Sequence, residues 1–137
     1  MIYLMDTSVW VRGVSEPETL PLEIRRILGT DDERGLSAIS IWEAGKKNQI
    51  GKLELNQPLA SWLVRALPPV VTVLPISSDV VADAMQLPDF PNRDPADELI
   101  VAAARVYDLT LLTSDTALKN YRHARIKYFK PILPQTR

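Results

Sequence analysis

Apolar and polar positions along this chain follow two alternating rhythms. Short apolar runs at Ile2 to Met5, Leu36 to Ile39, Val70 to Ile76 and Leu109 to Thr113 have the length and β-branched content of buried strands. Helix-length segments separate them. Asp6-Thr7-Ser8 ends the first run with residues that bond local backbone, so Val9, Trp10 and Val11 begin a first helix or turn. After a loop at Ser15 to Glu18, the segment LPLEIRRILG puts Leu20, Ile24, Ile27 and Leu28 on one helical face and stops at Gly29. The polar DDER at 31 to 34 is a turn. Ser40 and Glu43 have the spacing of a capping box, opening a helix that runs past Ala44 and Lys47 toward Ile50 and stops at Gly51. Pro58 to Leu67 is a further amphipathic helix closed by Pro68-Pro69, and Ser78 caps a short helix reaching Met85. Residues 86 to 93, with two prolines, form a loop.

Residues 93 to 115 concentrate most of the chemistry. Asp94 before Pro95 is a strong N-cap, because the residue preceding proline is held extended and proline fits the first helical position. Asp97 then falls at the third helical position. LIVAAARV from Leu99 to Val106 is apolar nearly all round, as in a helix packed on a sheet. The strand that follows ends in Ser114-Asp115 before a helical run from Thr116, which puts a carboxylate at the carboxyl edge of the sheet, where open α/β sheets bind ligands.

Strands alternating with helices predict βαβ units, and hence an α/β fold: a three-layer α/β/α sandwich around a mostly parallel sheet, in one domain spanning residues 1–137. Composition narrows the chemistry. With no cysteine and a single histidine, His123, thiolate catalysis and Cys- or His-built metal clusters are excluded, so a metal would be held by oxygen. No apolar run approaches the roughly 20 residues of a membrane span, and the start lacks a signal peptide's basic and apolar regions, which predicts a cytoplasmic protein with no membrane attachment. Net charge is -1, yet after Asp115 no acid occurs while Lys119, Arg122, Arg125, Lys127, Lys130 and Arg137 follow. Such a tail is either a solvated basic surface or a track for phosphates.

Asp6, Glu43, Asp97 and Asp115 each lie where a strand or short segment hands over to a helix. In a parallel sheet those junctions share one edge, so four residues distant in sequence can meet. Each also has an ordinary structural use, as an N-cap or half of a capping box worth ~1 kcal/mol. Four like charges at one edge nevertheless repel unless protonated or neutralised, and a divalent cation is the simplest remedy. Oxygen donors without nearby His or Cys select Mg²⁺, with Mn²⁺ as the alternative, and such an ion activates water and steadies phosphate charge. Thr7, Ser8, Thr113 and Ser114 are placed to orient ligands or water, and Asp94 to orient the helix carrying Asp97. A haloacid-dehalogenase phosphatase would need an aspartate at position 8, which is Ser8; a receiver domain would need an acidic pair after the first strand. Glycine-loop nucleotide motifs are absent from the sequence.

The ordered set LMDTSVW, SAISIWEAGKKNQIGKLEL, RDPADELIVAAARV and LLTSD resembles the PIN domains, and most the VapC toxins of bacterial and archaeal toxin-antitoxin pairs. The resemblance implies a Mg²⁺-dependent endoribonuclease acting on an RNA such as tRNA or rRNA, restrained by a cognate VapB-type antitoxin and assembling as a homodimer. Carried over by position, Asp6, Glu43, Asp97 and Asp115 are the catalytic and metal-binding acids. Two residues depart from the branch's usual HRDPADR: Asn92 replaces the histidine and Glu98 the final arginine. A PIN nuclease of RNA processing or decay, and a silent binding module, are the other readings. The surface expected to receive an antitoxin helix or a second subunit is Trp42, Trp62 and Leu63 with Leu20, Ile24 and Ile27; the same residues are otherwise core.

Overall fold

The computed structural model describes residues 1–132. Five strands, β1 (Tyr3–Met5), β2 (Arg34–Ser37), β3 (Val71–Leu74), β4 (Thr110–Thr113) and β5 (Ile126–Tyr128), form one sheet in the order β3-β2-β1-β4-β5. Every neighbouring pair is parallel. Six helices surround it: α1 (Thr7–Ser15), α2 (Leu22–Leu28), α3 (Ala38–Gln49), α4 (Leu59–Ala66), α5 (Ser78–Ala84) and α6 (Pro95–Val106). The three-layer α/β/α arrangement expected from the alternating pattern is the one found.

Strand pleat divides the core in two. Leu4 of β1 and Leu111 of β4 face a cluster with Val80 and Ala84 of α5 and the run from Ile100 to Ala104 of α6. Met5 and Leu112, one residue on, face Val9 and Trp10 of α1, Leu20, Ile24 of α2, and Trp62 of α4. Trp10 and Trp62 meet edge to face at 5.1 Å, and each indole N–H is satisfied, Trp10 by the Ala66 carbonyl and Trp62 by the Ser15 hydroxyl.

Several local expectations shift. β2 ends at Ser37, which is itself the cap of α3, its hydroxyl accepting the Ile39 N–H, so Ser40 is not an N-cap but lies in the first turn, fully buried. Three more residues join the helix because the strand stops sooner. α5 is likewise capped by Ser77, one position before the expected Ser78. β5 has no counterpart in the sequence reading: its three residues are half-buried at the sheet edge and interleaved with charge, which mimics a solvated tail.

Half of that tail's cations are engaged within the fold. Arg125 pairs with Asp108, Lys127 with Glu23 at 2.7 Å, and Lys119 lies over the Tyr128 ring. Arg137 lies outside the described residues. Among the described residues no helix is long and apolar enough to cross a membrane.

Candidate active site

The strand order places the chain's reversal between β1 and β4: crossovers run from β1 outward to β2 and β3, then return to β4 on the other side. The crevice outside the carboxyl ends of strands at such a switch point is where open α/β sheets take ligands. Asp6 follows β1 directly and Asp115 follows β4 by two residues. α6 feeds β4 and so runs antiparallel to it, which brings its N-terminal turn, with Asp97, to the same edge. α3 leaves β2 at that edge with Glu43 on its second turn.

Asp6 is 8% exposed and caps α1. Its Oδ1 accepts the Thr7 N–H at 2.8 Å, and its Oδ2 accepts the Thr113 hydroxyl at 2.6 Å. Burial pushes the Asp6 carboxyl up from the usual range; the Thr113 and Thr7 hydrogen bonds oppose this, while Glu43 and Asp115 add to it. Asp97 is pushed up to about 7, first by burial and then by Asp94, Asp6 and Asp115, with the Asn92 hydrogen bond opposing. The four acids therefore sense one another electrostatically. Among the described residues a single cation pairs with any of them: Lys47, whose Nζ is 3.9 Å from Glu43.

Hydroxyls brace this cluster. Thr7 donates to Glu43 Oε1 at 2.5 Å. Its oxygen also lies 2.8 Å from the fully buried Ser40 hydroxyl, and since Thr7 has one proton, committed to the carboxylate, Ser40 supplies the other. The relay Ser40 to Thr7 to Glu43 aims the carboxylate from α1. Thr113, wholly buried, donates to Asp6 and accepts the Asp115 N–H at 3.0 Å, tying two acids through one side chain. Asp115 in turn accepts the Ala117 N–H. Asp94 caps α6 through the Ala96 and Asp97 amides, as Asp94-Pro95 predicted. No hydrogen bond of the Ser8 or Ser114 side chain is present among the described residues; Ser8 lines a neighbouring cavity.

Two residues that build this site carry no site signal in the sequence. The spacing of Ser40 to Glu43 points to a cap, though the same spacing puts Ser40 one helical turn from the acid. Asn92, a departure from the family pattern, spans the loop with its side chain: Oδ1 accepts the Asp94 N–H at 2.9 Å, and Nδ2 donates to Asp97 Oδ2 at 3.1 Å. The expected partner groove is corrected. Trp62, Leu20 and Ile24 are buried core, and Leu63 and Ile27 pack against it; Trp42 alone, 61% exposed, faces solvent.

Among the described residues no three His, Cys, Asp or Glu side chains stand close enough together to hold a metal ion between them. The donor set, carboxylates backed by hydroxyls around a crevice that concentrates negative charge, fits a hard divalent cation that keeps most of its waters.

The PIN domain family model matches residues 3–124. Ribonuclease VapC22 of Mycobacterium tuberculosis is 34% identical over 122 residues, covering 89% of this chain and 93% of that protein. Among solved structures, VapBC2 from Rickettsia felis, bound to a DNA fragment from its promoter, matches with a TM-score of 0.70 at 18% identity, over 93% of this chain and 98% of that one. A toxin-antitoxin complex from Klebsiella pneumoniae matches at 0.65 and 15% identity, over 93% and 98%. At those identities the two structures speak for the fold.

Proposed function

The chain belongs to the PIN-domain family, and from that premise we propose that it is a metal-dependent endoribonuclease, the VapC-type toxin of a toxin-antitoxin pair. One observation carries the reading: the buried Asp6 at the switch point shares its crevice with Asp97, whose carboxyl is pushed to about 7 partly by its acidic neighbours. A fold that gathers uncompensated carboxylates at its ligand edge supports binding of a divalent cation, Mg²⁺ or Mn²⁺. When bound, such an ion neutralises the cluster, activates a water for attack and stabilises charge developing on the phosphate.

Asp6 and Asp97 would hold the ion, with Glu43 and Asp115 completing the acidic wall. Thr113 fixes the Asp6 carboxylate, Thr7 and Ser40 fix Glu43, and Asn92 fixes Asp97. Ser8 and Ser114 lie beside the acids as orienting hydroxyls, and Asp94 aligns α6. Two cores on one sheet support reading the whole chain as a single PIN domain.

The partner class is a small VapB-type antitoxin, supported by the toxin-antitoxin and VapBC assemblies sharing the fold. A homodimer acting in the cytoplasm completes the reading. The exposed Trp42 indole is the candidate contact with antitoxin or second subunit; Trp42→Ala should weaken that contact and leave melting temperature unchanged.

The test is cleavage of purified total RNA, free of antitoxin, by wild type and Asp6→Asn in Mg²⁺ or EDTA. Discrete fragments that vanish with EDTA and with the variant support the reading. Fragments indifferent to both, or no cleavage under any condition, would overturn it.

A further inference from the structure

Beside the acidic crevice lies a cavity of about 230 Å³ with the opposite charge, lined by Arg12 of α1, Lys47 of α3 and Lys52, together with the Thr7 and Ser8 side chains. Its placement follows from local backbone. Ser8 and Arg12 lie at helical spacing on one face of α1, and Glu16 follows as the residue that ends it. At the end of α3, Gly51 takes a left-handed conformation (φ 82°), and the Lys47 carbonyl accepts the Lys52 and Leu53 amides. That turn folds the chain back so that Lys52 stands beside Lys47.

Within this cluster Arg12 is half-buried while Lys47 and Lys52 are exposed, and among the described residues neither Arg12 nor Lys52 has a carboxylate within ion-pair distance. Glu16 is the single acid lining the cavity. Thr7 belongs to both sites: its hydroxyl bonds Glu43, and its side chain lines the basic cavity. The volume holds several waters at about 30 Å³ each, and beside the apolar Val11, Ala44 and Leu53 its lining offers a guanidinium fork, ammonium groups and the Ser8 hydroxyl, groups that recognise phosphate.

We infer that this cavity binds a backbone phosphate of the RNA strand next to the one being cut, with Arg12 and Lys52 as its principal contacts. The inference rests on the ribonuclease reading above. A strand laid across Thr7 has one phosphate at the acidic crevice and a neighbouring one in the cation-lined cavity. Repulsion between RNA and the four acids is thereby offset by a fixed attraction close by, which sets the strand's register.

The test compares Arg12→Gln/Lys52→Gln with the charge-conserving Arg12→Lys/Lys52→Arg. Each pair is made in the active protein, for kinetics, and in an Asp6→Asn background, for binding of a short fluorescein-labelled single-stranded oligoribonucleotide across a salt series. Removing the contacts to that one phosphate should flatten the slope of log affinity against log salt by about 0.7 and weaken binding on the order of 10-fold. KM should rise with kcat nearly unchanged, the charge-conserving pair should retain most binding, and the Mg²⁺-induced thermal shift of the active protein should stay the same. An unchanged slope and KM would overturn the inference, as would equal loss in both pairs, or loss of antitoxin affinity alone. The underlying reading fails separately: the protein with Arg12 and Lys52 intact would then neither bind nor cut RNA.

Discussion

Replacing Asp97 with asparagine separates what the crevice does for catalysis from what it does to stability. In the fold the Asp97 carboxyl sits at about 7 against an ordinary value of 3.8. A rise of about three pH units, at 1.36 kcal/mol per unit, would be ~4 kcal/mol for a group sealed from water. Asp97 is partly open to solvent, so screening reduces the penalty to about 1–2 kcal/mol. The unfolded chain releases this proton near pH 4, while the metal-free native state keeps it until about pH 7. Native stability therefore falls as pH rises through that window, and the full penalty applies above it. Asparagine carries no charge at any pH and can still accept the Asn92 amide. Metal-free Asp97→Asn should thus melt with wild type near pH 4, and roughly 4–8 °C above it at pH 8. Mg²⁺ at 100 times its dissociation constant should raise wild type by about 2.7 kcal/mol and the variant far less, while RNA cleavage drops by on the order of 10³-fold. The assay is thermal melting in EDTA and in Mg²⁺ at both pH values. A variant that melts at or below wild type at pH 8, or a gap independent of pH, would refute the view that the carboxylates repel and are unneutralised.

Thr113→Val removes the hydroxyl that donates to Asp6 and accepts from Asp115; denaturant unfolding should show a loss of about 2–3 kcal/mol, with Mg²⁺ affinity by titration reduced roughly 10- to 100-fold. Asn92→Ala frees Asp97 without touching the core, so Mg²⁺ affinity should fall about 10-fold while the melting temperature of the metal-free protein moves little; an unchanged affinity would mean the Asn92 contact does not orient the carboxylate. Trp62→Ala should cost about 3–5 kcal/mol in chemical denaturation, because the indole is fully buried against Trp10. Exposed Trp42, replaced the same way, should stay within about 0.5 kcal/mol.

Local pattern sufficed wherever a residue's role depends on its chain neighbours. Asp94-Pro95 dictated the start of α6, the apolar run behind it dictated burial between helix and sheet, and Asp6 at the end of a short strand offered the cap that α1 uses, although the helix starts at Thr7 rather than the expected Val9. Their physics is short-ranged: a carboxylate satisfying amides two or three residues on, a proline fixing one dihedral. Alternation of strand and helix then implied a parallel layered fold, and a parallel fold implied that strand-to-helix junctions share an edge.

Where serines compete as caps, local pattern chose the wrong one. The spacing of Ser40 and Glu43 favours Ser40, and only the pairing of β2 with its neighbours ended the strand early, gave the cap to Ser37 and left Ser40 inside, bonded to Thr7. Nor does hydropathy separate Trp62 from Trp42, since a helix's buried face is defined by what packs on it. β5 exists because β4 offers an unpaired edge, which its own charged sequence does not announce. The proximity of Asp6, Glu43, Asp97 and Asp115, and of Asn92 to Asp97, arises from the reversal of strand order between β1 and β4 and from loop geometry. So do the raised carboxyls: burial and like charge act through space, between residues the chain holds up to 109 positions apart, and only the folded arrangement sets those distances.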